Sequence, residues 1–214
     1  MLQSIGLRRA ILIAALFTNS VTFAVEIPLS DEAVREAYFL GQRHDDRTAK
    51  FLETYRHYFP VPKSGPHVMV AELFTPYAQA VQASSHSMGL SAQQAKLDYQ
   101  ARGDSLRVGV YVRYTSTYGP GFPYSSAKVP GQTGTWKDFQ VRLMLNGETR
   151  KAQSVKYEGM RMGAGGKGGT SRPTGFIIWQ EYDASQATST DASVEIDTPD
   201  GQHVVTSFDL SRLR

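Results

Sequence analysis

The chain has 214 residues, with 23 Lys and Arg, 20 Asp and Glu, and no cysteine. The formal net charge of +3 includes Arg8 and Arg9, and without these two residues the charge of the chain is nearly balanced. The absence of cysteine excludes a disulfide framework, a thiol nucleophile and cysteine-bound zinc. The balanced charge predicts no nucleic-acid partner, because such proteins carry a basic patch or stripe.

The first 24 residues have the layout of a secretory signal peptide. Arg8 and Arg9 precede an apolar run at residues 10–17, and small residues follow up to Ala24. This order of charged, apolar and small residues is typical of a cleaved export signal. The sequence therefore predicts cleavage after Ala24, a secreted or periplasmic protein, and no membrane span in the mature chain. An uncleaved N-terminal anchor is the alternative.

Residues 25–104 have a mostly helical pattern. Ser30, Thr75 and Ser91 each stand where a helix N-cap is expected, because their side chains accept hydrogen bonds from the first free N–H groups of a helix. Asp46 is a candidate cap for another helix. The apolar face expected for that helix has four members: Phe51, Leu52, Tyr55 and Phe59. Residues 67–74 are predicted to form a short strand.

From residue 105 onward, apolar residues alternate with polar ones, which indicates half-buried strands. The predicted strands cover residues 106–114, 139–145, 149–157, 176–182, 192–197 and 204–210. Asn146-Gly147 and Asp200-Gly201 are strong hairpin signals. The expected fold is α+β, with an N-terminal helical layer over residues 25–104. That layer packs with a C-terminal antiparallel β-sandwich over residues 105–214, immunoglobulin-like by class only.

A glycine-rich stretch at residues 159–175 resembles a phosphate loop only superficially. A phosphate loop of the Walker type needs Ser or Thr after its lysine and then a helix. Here Gly168 follows Lys167, and Pro173 precedes a strand pattern. The stretch is therefore predicted to be a loop joining two strands.

Other motifs with possible chemistry have simpler structural explanations. Ser125 and Lys128 match S-x-x-K, a signature of penicillin-binding proteins and related β-lactamases. The companion motifs of those enzymes, S-D-N and K-T-G, are missing. Glu195, Asp197 and Asp200 could hold calcium through oxygen ligands, although the hairpin turn accounts for Asp200 and the solvent face of a strand accounts for Glu195 and Asp197. We predict no catalytic residue, no metal and no cofactor.

The long connection at residues 116–137 is the strongest candidate for binding. Loops of this length inside a compact domain are usually functional or disordered. If every strand reverses the chain direction, this connection and the glycine-rich one lie at the same end of the sandwich. The predicted ligand-binding residues are Tyr118, Phe122, Tyr124, Trp136, Lys128, Arg161, Lys167 and Arg172. The alternative is that the aromatic residues only pack the loop against the helical region.

These observations predict an exported, non-enzymatic binding or accessory protein of the bacterial periplasm or cell surface. Its partner would be an envelope glycan, a peptide or a protein, held by the connections at residues 116–137 and 159–174. One alternative is a hydrolase of envelope polymers, which would draw its carboxylates from Asp45, Asp46, Glu72 and Asp98. The other alternative is a structural or assembly subunit.

Overall fold

The structure, a computed structural model, describes residues 25–87, 89–119, 136–162, 172–187 and 190–214. Within these ranges the chain forms four α-helices and nine strands. The helices are α1 (Asp31–Gln42), α2 (Asp46–Glu53), α3 (Pro76–His86) and α4 (Ala92–Arg102). The strands are β1 (Arg56–Tyr58), β2 (His67–Phe74), β3 (Ser105–Arg113), β4 (Gln140–Leu145), β5 (Glu148–Arg150), β6 (Ser154–Met162), β7 (Arg172–Asp183), β8 (Asp191–Asp197) and β9 (His203–Asp209). The predicted signal peptide lies outside the described residues.

The nine strands form two antiparallel sheets. The five-stranded sheet has the order β1-β2-β3-β7-β6, and the four-stranded sheet has the order β5-β4-β8-β9. The fold is therefore mixed α and β, as expected. The five-stranded sheet takes β1 and β2 from the helix-rich part of the sequence, and β2 pairs with β3 from His67↔Arg113 to Phe74↔Arg107. One sheet thus crosses the predicted boundary near residue 104.

The predicted N-caps at Ser30, Thr75 and Ser91 are confirmed. Their hydroxyl oxygens accept hydrogen bonds from backbone N–H groups three residues later, at 3.2, 3.2 and 3.1 Å. These bonds satisfy donors that the first turn of a helix leaves free. The helix starts are therefore encoded locally.

The prediction for the second helix is wrong in two details. Asp45, not Asp46, is the N-cap, since its carboxylate accepts from the N–H groups of Arg47 and Thr48. The helix also ends at Glu53, so Tyr55 and Phe59 do not belong to its face. Instead, β1 turns alongside β2, where its residues gain ladder hydrogen bonds.

The strand predicted at residues 149–157 is also corrected. The segment contains two strands, with β5 in the four-stranded sheet and β6 in the five-stranded sheet. The chain changes sheets at residues 151–153, and β6 continues to Met162. Since β6 and β7 are antiparallel neighbours, residues 163–171 join two paired strands.

Both sheets and the helices share one hydrophobic core. It includes Val108 and Val110 of β3, Leu143 of β4, Ala37 of α1 and Val81 of α3. Phe176 of β7 lies on the side of the five-stranded sheet that carries Val108 and Val110, and it packs against Phe139, which directly precedes β4, with ring centroids 5.4 Å apart. No helix in the described part of the chain is long and apolar enough to cross a membrane.

Candidate functional site

The side of the five-stranded sheet opposite to Val108 and Val110, here called the outer face, carries polar and aromatic residues in register. One row across the strands consists of Arg56, Glu72, Gly109, Trp179 and Lys156. The next row consists of Tyr58, Val70, Tyr111, Ile177 and Glu158. Side chains of one row stand side by side, because residues opposite each other in a sheet project to the same face.

Three aromatic side chains on this face, Tyr58, Tyr111 and Trp179, are here called the aromatic platform. The rings of Tyr111 and Trp179 meet edge to face, with centroids 5.8 Å apart and an interplanar angle of 75°. Tyr58 is 60% exposed and lies two strands from Tyr111, which corresponds to about 10 Å. Tyr111 and Trp179 are partly exposed. The platform therefore offers several aromatic groups to solvent on a rigid sheet.

A buried carboxylate fixes one side of the platform. The side chain of Glu72 is fully buried and accepts hydrogen bonds from Arg56 Nε at 3.0 Å and from the Tyr111 hydroxyl at 3.1 Å. Burial raises the pKa of Glu72, although the charge of Arg56 opposes this shift. Burial also raises the pKa of Tyr111, and the Glu72 carboxylate adds to that increase. Glu72 thus holds Tyr111 and Arg56 in fixed positions.

An arginine supports the other side of the platform. The guanidinium of Arg107 lies 4.9 Å from the ring centroid of Trp179 and 5.5 Å from that of Phe74. It also donates to the side-chain oxygen of Gln82 in α3. Desolvation lowers the pKa of Arg107, and Glu72 opposes that effect. Since cations are attracted to aromatic faces, Arg107 links the platform to the helices.

Two further contacts fix the ring of Trp179, one with β6 at the edge of the sheet and one with the backbone of β3. Its Nε1 donates to Glu158 of β6 at 3.2 Å. A Cβ at Gly109 would lie 2.5 Å from Trp179 Cζ3, so the indole rests close against the backbone of β3. Glycine is needed where a ring approaches the backbone this closely.

The predicted ligand-binding residues are only partly within the described ranges. Phe122, Tyr124, Lys128 and Lys167 lie outside them. Tyr118 is 3% exposed and packs against Phe139, with ring centroids 6.2 Å apart. Its ring belongs to the core, and its ring partners Tyr114 and Phe139 flank strands β3 and β4, not the helices.

The other three predicted residues lie nearer the surface. Trp136 is stacked on Tyr157, with centroids 6.2 Å apart and an interplanar angle of 23°. Arg161 and Arg172 are exposed, near the last residue of β6 and at the first residue of β7. The structure therefore separates Trp136, which stands over the inner side of β6, from the arginines at the hairpin end.

The residues that flank the two long connections meet at one end of the molecule. The Tyr114 N–H donates to the Thr174 carbonyl at 2.9 Å, and the Thr115 hydroxyl donates to the Gly65 carbonyl at 2.7 Å. The side chain of Gln202 reaches the Ser64 carbonyl at 3.2 Å, which brings the Asp200-Gly201 turn to the same end. The structure thus agrees with the sequence-based expectation that the two connections lie at the same end. The chain passes from β5 to β6 without a tight hairpin, so the number of chain reversals between the two connections is the predicted one.

The four carboxylates considered for hydrolysis lie in different settings. Asp45 caps α2 and pairs with Arg43 at 2.9 Å. Asp46 is exposed, and Asp98 accepts from the Gln94 side chain at 2.7 Å. Of the four, Glu72 alone is buried, and the groups that contact its two oxygens are Arg56 and Tyr111.

Two of the three carboxylates considered for calcium, Glu195 and Asp197, pair with one arginine, and the third, Asp200, accepts from the side chains of Thr198 and Gln202. Arg142 contacts Glu195 at 3.1 Å and Asp197 at 2.8 Å. Among the described residues no group of three or more His, Cys, Asp or Glu side chains is arranged to hold a metal ion. Ion pairing on the strand surface therefore accounts for Glu195 and Asp197.

Sequence reasoning did not single out the aromatic platform. Tyr111 and Trp179 occupy positions in β3 and β7 on the outer face of the sheet. An aromatic residue at an outward position of a strand is the available signal, but its neighbours depend on the pairing of the strands.

No family model, no curated protein and no solved structure matches this chain.

Proposed function

We propose that this chain is an exported, non-enzymatic binding protein of the periplasm or cell surface whose ligand is an envelope glycan lying across the aromatic platform. The observation that carries the proposal is the fixed, partly exposed pair of Tyr111 and Trp179 beside the exposed ring of Tyr58. Glu72 and Arg107 hold this pair in place from two sides. Such preorganisation lowers the entropic cost of binding.

The shape and chemistry of the outer face suit an extended sugar polymer. Aromatic rings combine a large apolar surface with a polar edge, which matches the apolar faces and hydroxyl rims of sugar rings. Small molecules usually bind in concave pockets, whereas the platform is a sheet surface. Lys156 and Glu158 stand at its edge and supply a donor and an acceptor for hydroxyl groups.

In this proposal the long connections at residues 116–137 and 163–171 supply further contacts to the ligand. Both leave the sheet at the end toward which Tyr111 lies, because Arg113 pairs with Gly175. In this proposal the two sheets act as a β-sandwich, immunoglobulin-like by class only, with the helices packed on one part of the outer face. Binding residues often sit on loops held by such a scaffold.

Binding is favoured over hydrolysis by the state of Glu72. A general acid must reach the atom that it protonates, but this side chain is fully buried and bonded to Arg56 and Tyr111. Its position suits a group that orients the platform. We keep a structural or assembly role as the second possibility, in which the platform contacts a protein.

The test is calorimetric titration of the exported protein with peptidoglycan fragments and with neutral and acidic oligosaccharides. The variant is Tyr58→Ala, and the matched control is Phe39→Ala, because these rings are 60% and 52% exposed and lie on different surfaces. We expect Tyr58→Ala to weaken binding about tenfold, which is the effect of losing one aromatic contact. The control should bind as the wild type does.

A third variant separates the platform from the loop end. Trp136→Ala removes the aromatic residue that stacks on Tyr157 and leaves the outer face unchanged. If Trp136→Ala abolishes binding while Tyr58→Ala retains it, the ligand site is at the loop end and the platform proposal is wrong. No saturable binding of any glycan by the folded wild type would reject a glycan ligand altogether.

A further inference from the structure

Strand β6 has an exposed edge. It is the last strand of the five-stranded sheet, and among the described residues it pairs with β7 alone. Seven of its nine residues are exposed, including the large apolar side chains of Val155 (45%), Tyr157 (46%) and Met162 (66%). Proteins usually protect such edges with short strands, proline or a covering segment, because free N–H and C=O groups pair readily with another strand.

We propose that β6 pairs antiparallel with β6 of a second copy of this chain, about a two-fold axis that passes beside Tyr157. The pairing would join two five-stranded sheets into one continuous sheet. An interface of this kind is self-complementary, because each residue of one copy meets its counterpart across the axis.

Charge complementarity selects this register. With the axis at Tyr157, Lys156 of each copy stands opposite Glu158 of the other, so that two pairs of opposite charge form on the outer face. Residues directly opposite in an antiparallel pair are close neighbours, and opposite charges there are stabilising. Lys156 and Glu158 already project to the same face, since their partners in β7 are Trp179 and Ile177.

Neighbouring registers lack this match. A two-fold axis perpendicular to the sheet leaves each side chain on the same face in both copies. Opposite residues must share a face, so one residue of β6 lies opposite its own copy, and the axis passes beside that residue and never between two residues. An axis at Lys156 would place two lysines opposite each other, and an axis at Glu158 would do the same with two glutamates. Like charges directly opposite are destabilising. Within the central part of β6, the axis at Tyr157 therefore gives the best pairing.

The inner side of β6 also suits a second copy. Tyr157 of one protomer would stand opposite Tyr157 of its partner, and aromatic cross-strand pairs stabilise sheets. Val155 would stand opposite Gly159, which has no side chain to obstruct it. Tyr157 and Val155, two of the exposed apolar side chains of β6, would thus lie within the paired segment.

Pairing would have a consequence for the outer face that does not depend on the ligand. The two-fold axis keeps both outer faces on the same side of the joined sheet. The two aromatic platforms would then be presented side by side. A polymer that bound both would gain from the second contact through effective concentration.

A disulfide test uses the absence of cysteine from the chain. Tyr157→Cys places two thiols opposite each other across the axis, where Cα atoms are about 4.5–5.5 Å apart, within the range of about 4.4–6.8 Å that a disulfide needs. Val155→Cys is the matched control, because Val155 and Tyr157 are 45% and 46% exposed. In the proposed register the two copies of residue 155 are about 14 Å apart.

We expect mild oxidation to convert the folded Tyr157→Cys protein to a covalent dimer that reduction reverses, and to leave Val155→Cys mostly monomeric. Equal cross-linking of both variants would mean random collision and would overturn the register. If neither variant cross-links, the edge is not a homodimer surface, for instance because residues of the 116–137 connection or another protein cover it.

A charge exchange gives a second readout by sedimentation of the full chain over a range of concentrations. Lys156→Glu and Glu158→Lys each turn two attractive pairs into two repulsive ones, so each should raise the dimer Kd about tenfold. The double variant restores opposite charges and should dimerise as the wild type does. Lys50→Glu in α2 is the control for net charge. A wild type that stays monomeric, or a double variant no better than the singles, would overturn the proposal.

Discussion

The indole ring of Trp179 occupies the space over Gly109 that any larger side chain would need. A Cβ at residue 109 would lie 2.5 Å from Trp179 Cζ3 and 2.9 Å from the Glu72 side chain. Gly109 and Trp179 are direct partners in the pairing of β3 and β7. The glycine therefore lets Glu72 and Trp179 come together from the strands on either side of β3, and the aromatic platform depends on it.

Gly109→Ala should destabilise the protein by about 1–3 kcal/mol, because the added methyl group overpacks the site and displaces Trp179 or Glu72. The matched control is Gly159→Ala in the same sheet, where the nearest atom to the new Cβ would be the Tyr157 hydroxyl at 3.7 Å. Urea unfolding followed by tryptophan fluorescence measures both variants. Equal stability of the two variants would contradict the close packing at Gly109.

The burial of Glu72 predicts a dependence of stability on pH. Its pKa in the folded protein lies above the ordinary value of 4.5, with desolvation as the main cause. The folded state therefore holds the Glu72 proton more tightly than the unfolded chain does. The contribution of Glu72 to the free energy of unfolding is complete below pH 4.5 and is lost as the pH rises through the folded-state pKa.

Glu72→Gln tests this sign, because the amide is neutral at every pH. The free energy of unfolding of the wild type minus that of the variant should decrease from about pH 4 to about pH 8. Urea titrations at several pH values measure this difference, with Glu32→Gln on the exposed surface of α1 as the control. A difference that increases with pH would show that the attraction of Arg56 outweighs desolvation.

Local signals in the sequence were enough to predict much of the fold. Ser30 and Ser91 cap their helices with bonds that span only three residues. Asn146 and Gly147 adopt positive φ angles of 56° and 75°, as the hairpin between β4 and β5 requires. In each case the residues that determine the structure are neighbours in the sequence.

Features that depend on distant partners were not predicted. Strand β1 has three residues and exists because it pairs with β2, and the division of residues 148–162 between two sheets depends on β4 and β7. The platform was missed for the same reason, since Tyr111 and Trp179 are far apart in the chain. A shift of register by one residue would move either side chain to the opposite face.

The predicted export signal has a direct test. When the full chain is expressed in a bacterium with an intact export pathway, N-terminal sequencing of the periplasmic protein should begin at Val25, because small residues precede the predicted cleavage site after Ala24. Ala24→Arg should block cleavage and leave the larger precursor on the membrane. A wild-type chain of full length that stays on the membrane would instead support the uncleaved anchor.

Thr75 and Ser91 are both N-caps, but their replacement should not have equal effects. Thr75 is fully buried, and besides accepting from the Ala78 N–H at 3.2 Å it donates to the Arg214 carbonyl. Thr75→Val keeps the shape of the side chain and removes both bonds, so we expect a loss of about 2–3 kcal/mol. Ser91→Ala removes only an exposed cap and should cost about 1 kcal/mol.

Denaturant unfolding of the two variants measures this difference. Truncation of Arg214 in the wild type and in Thr75→Val separates the two bonds of Thr75. If the Arg214 contact carries the additional stability, deleting Arg214 will destabilise the wild type more than it destabilises Thr75→Val, because neighbouring changes that share an interaction are not additive. Additive losses would assign the whole effect of Thr75 to the cap of α3.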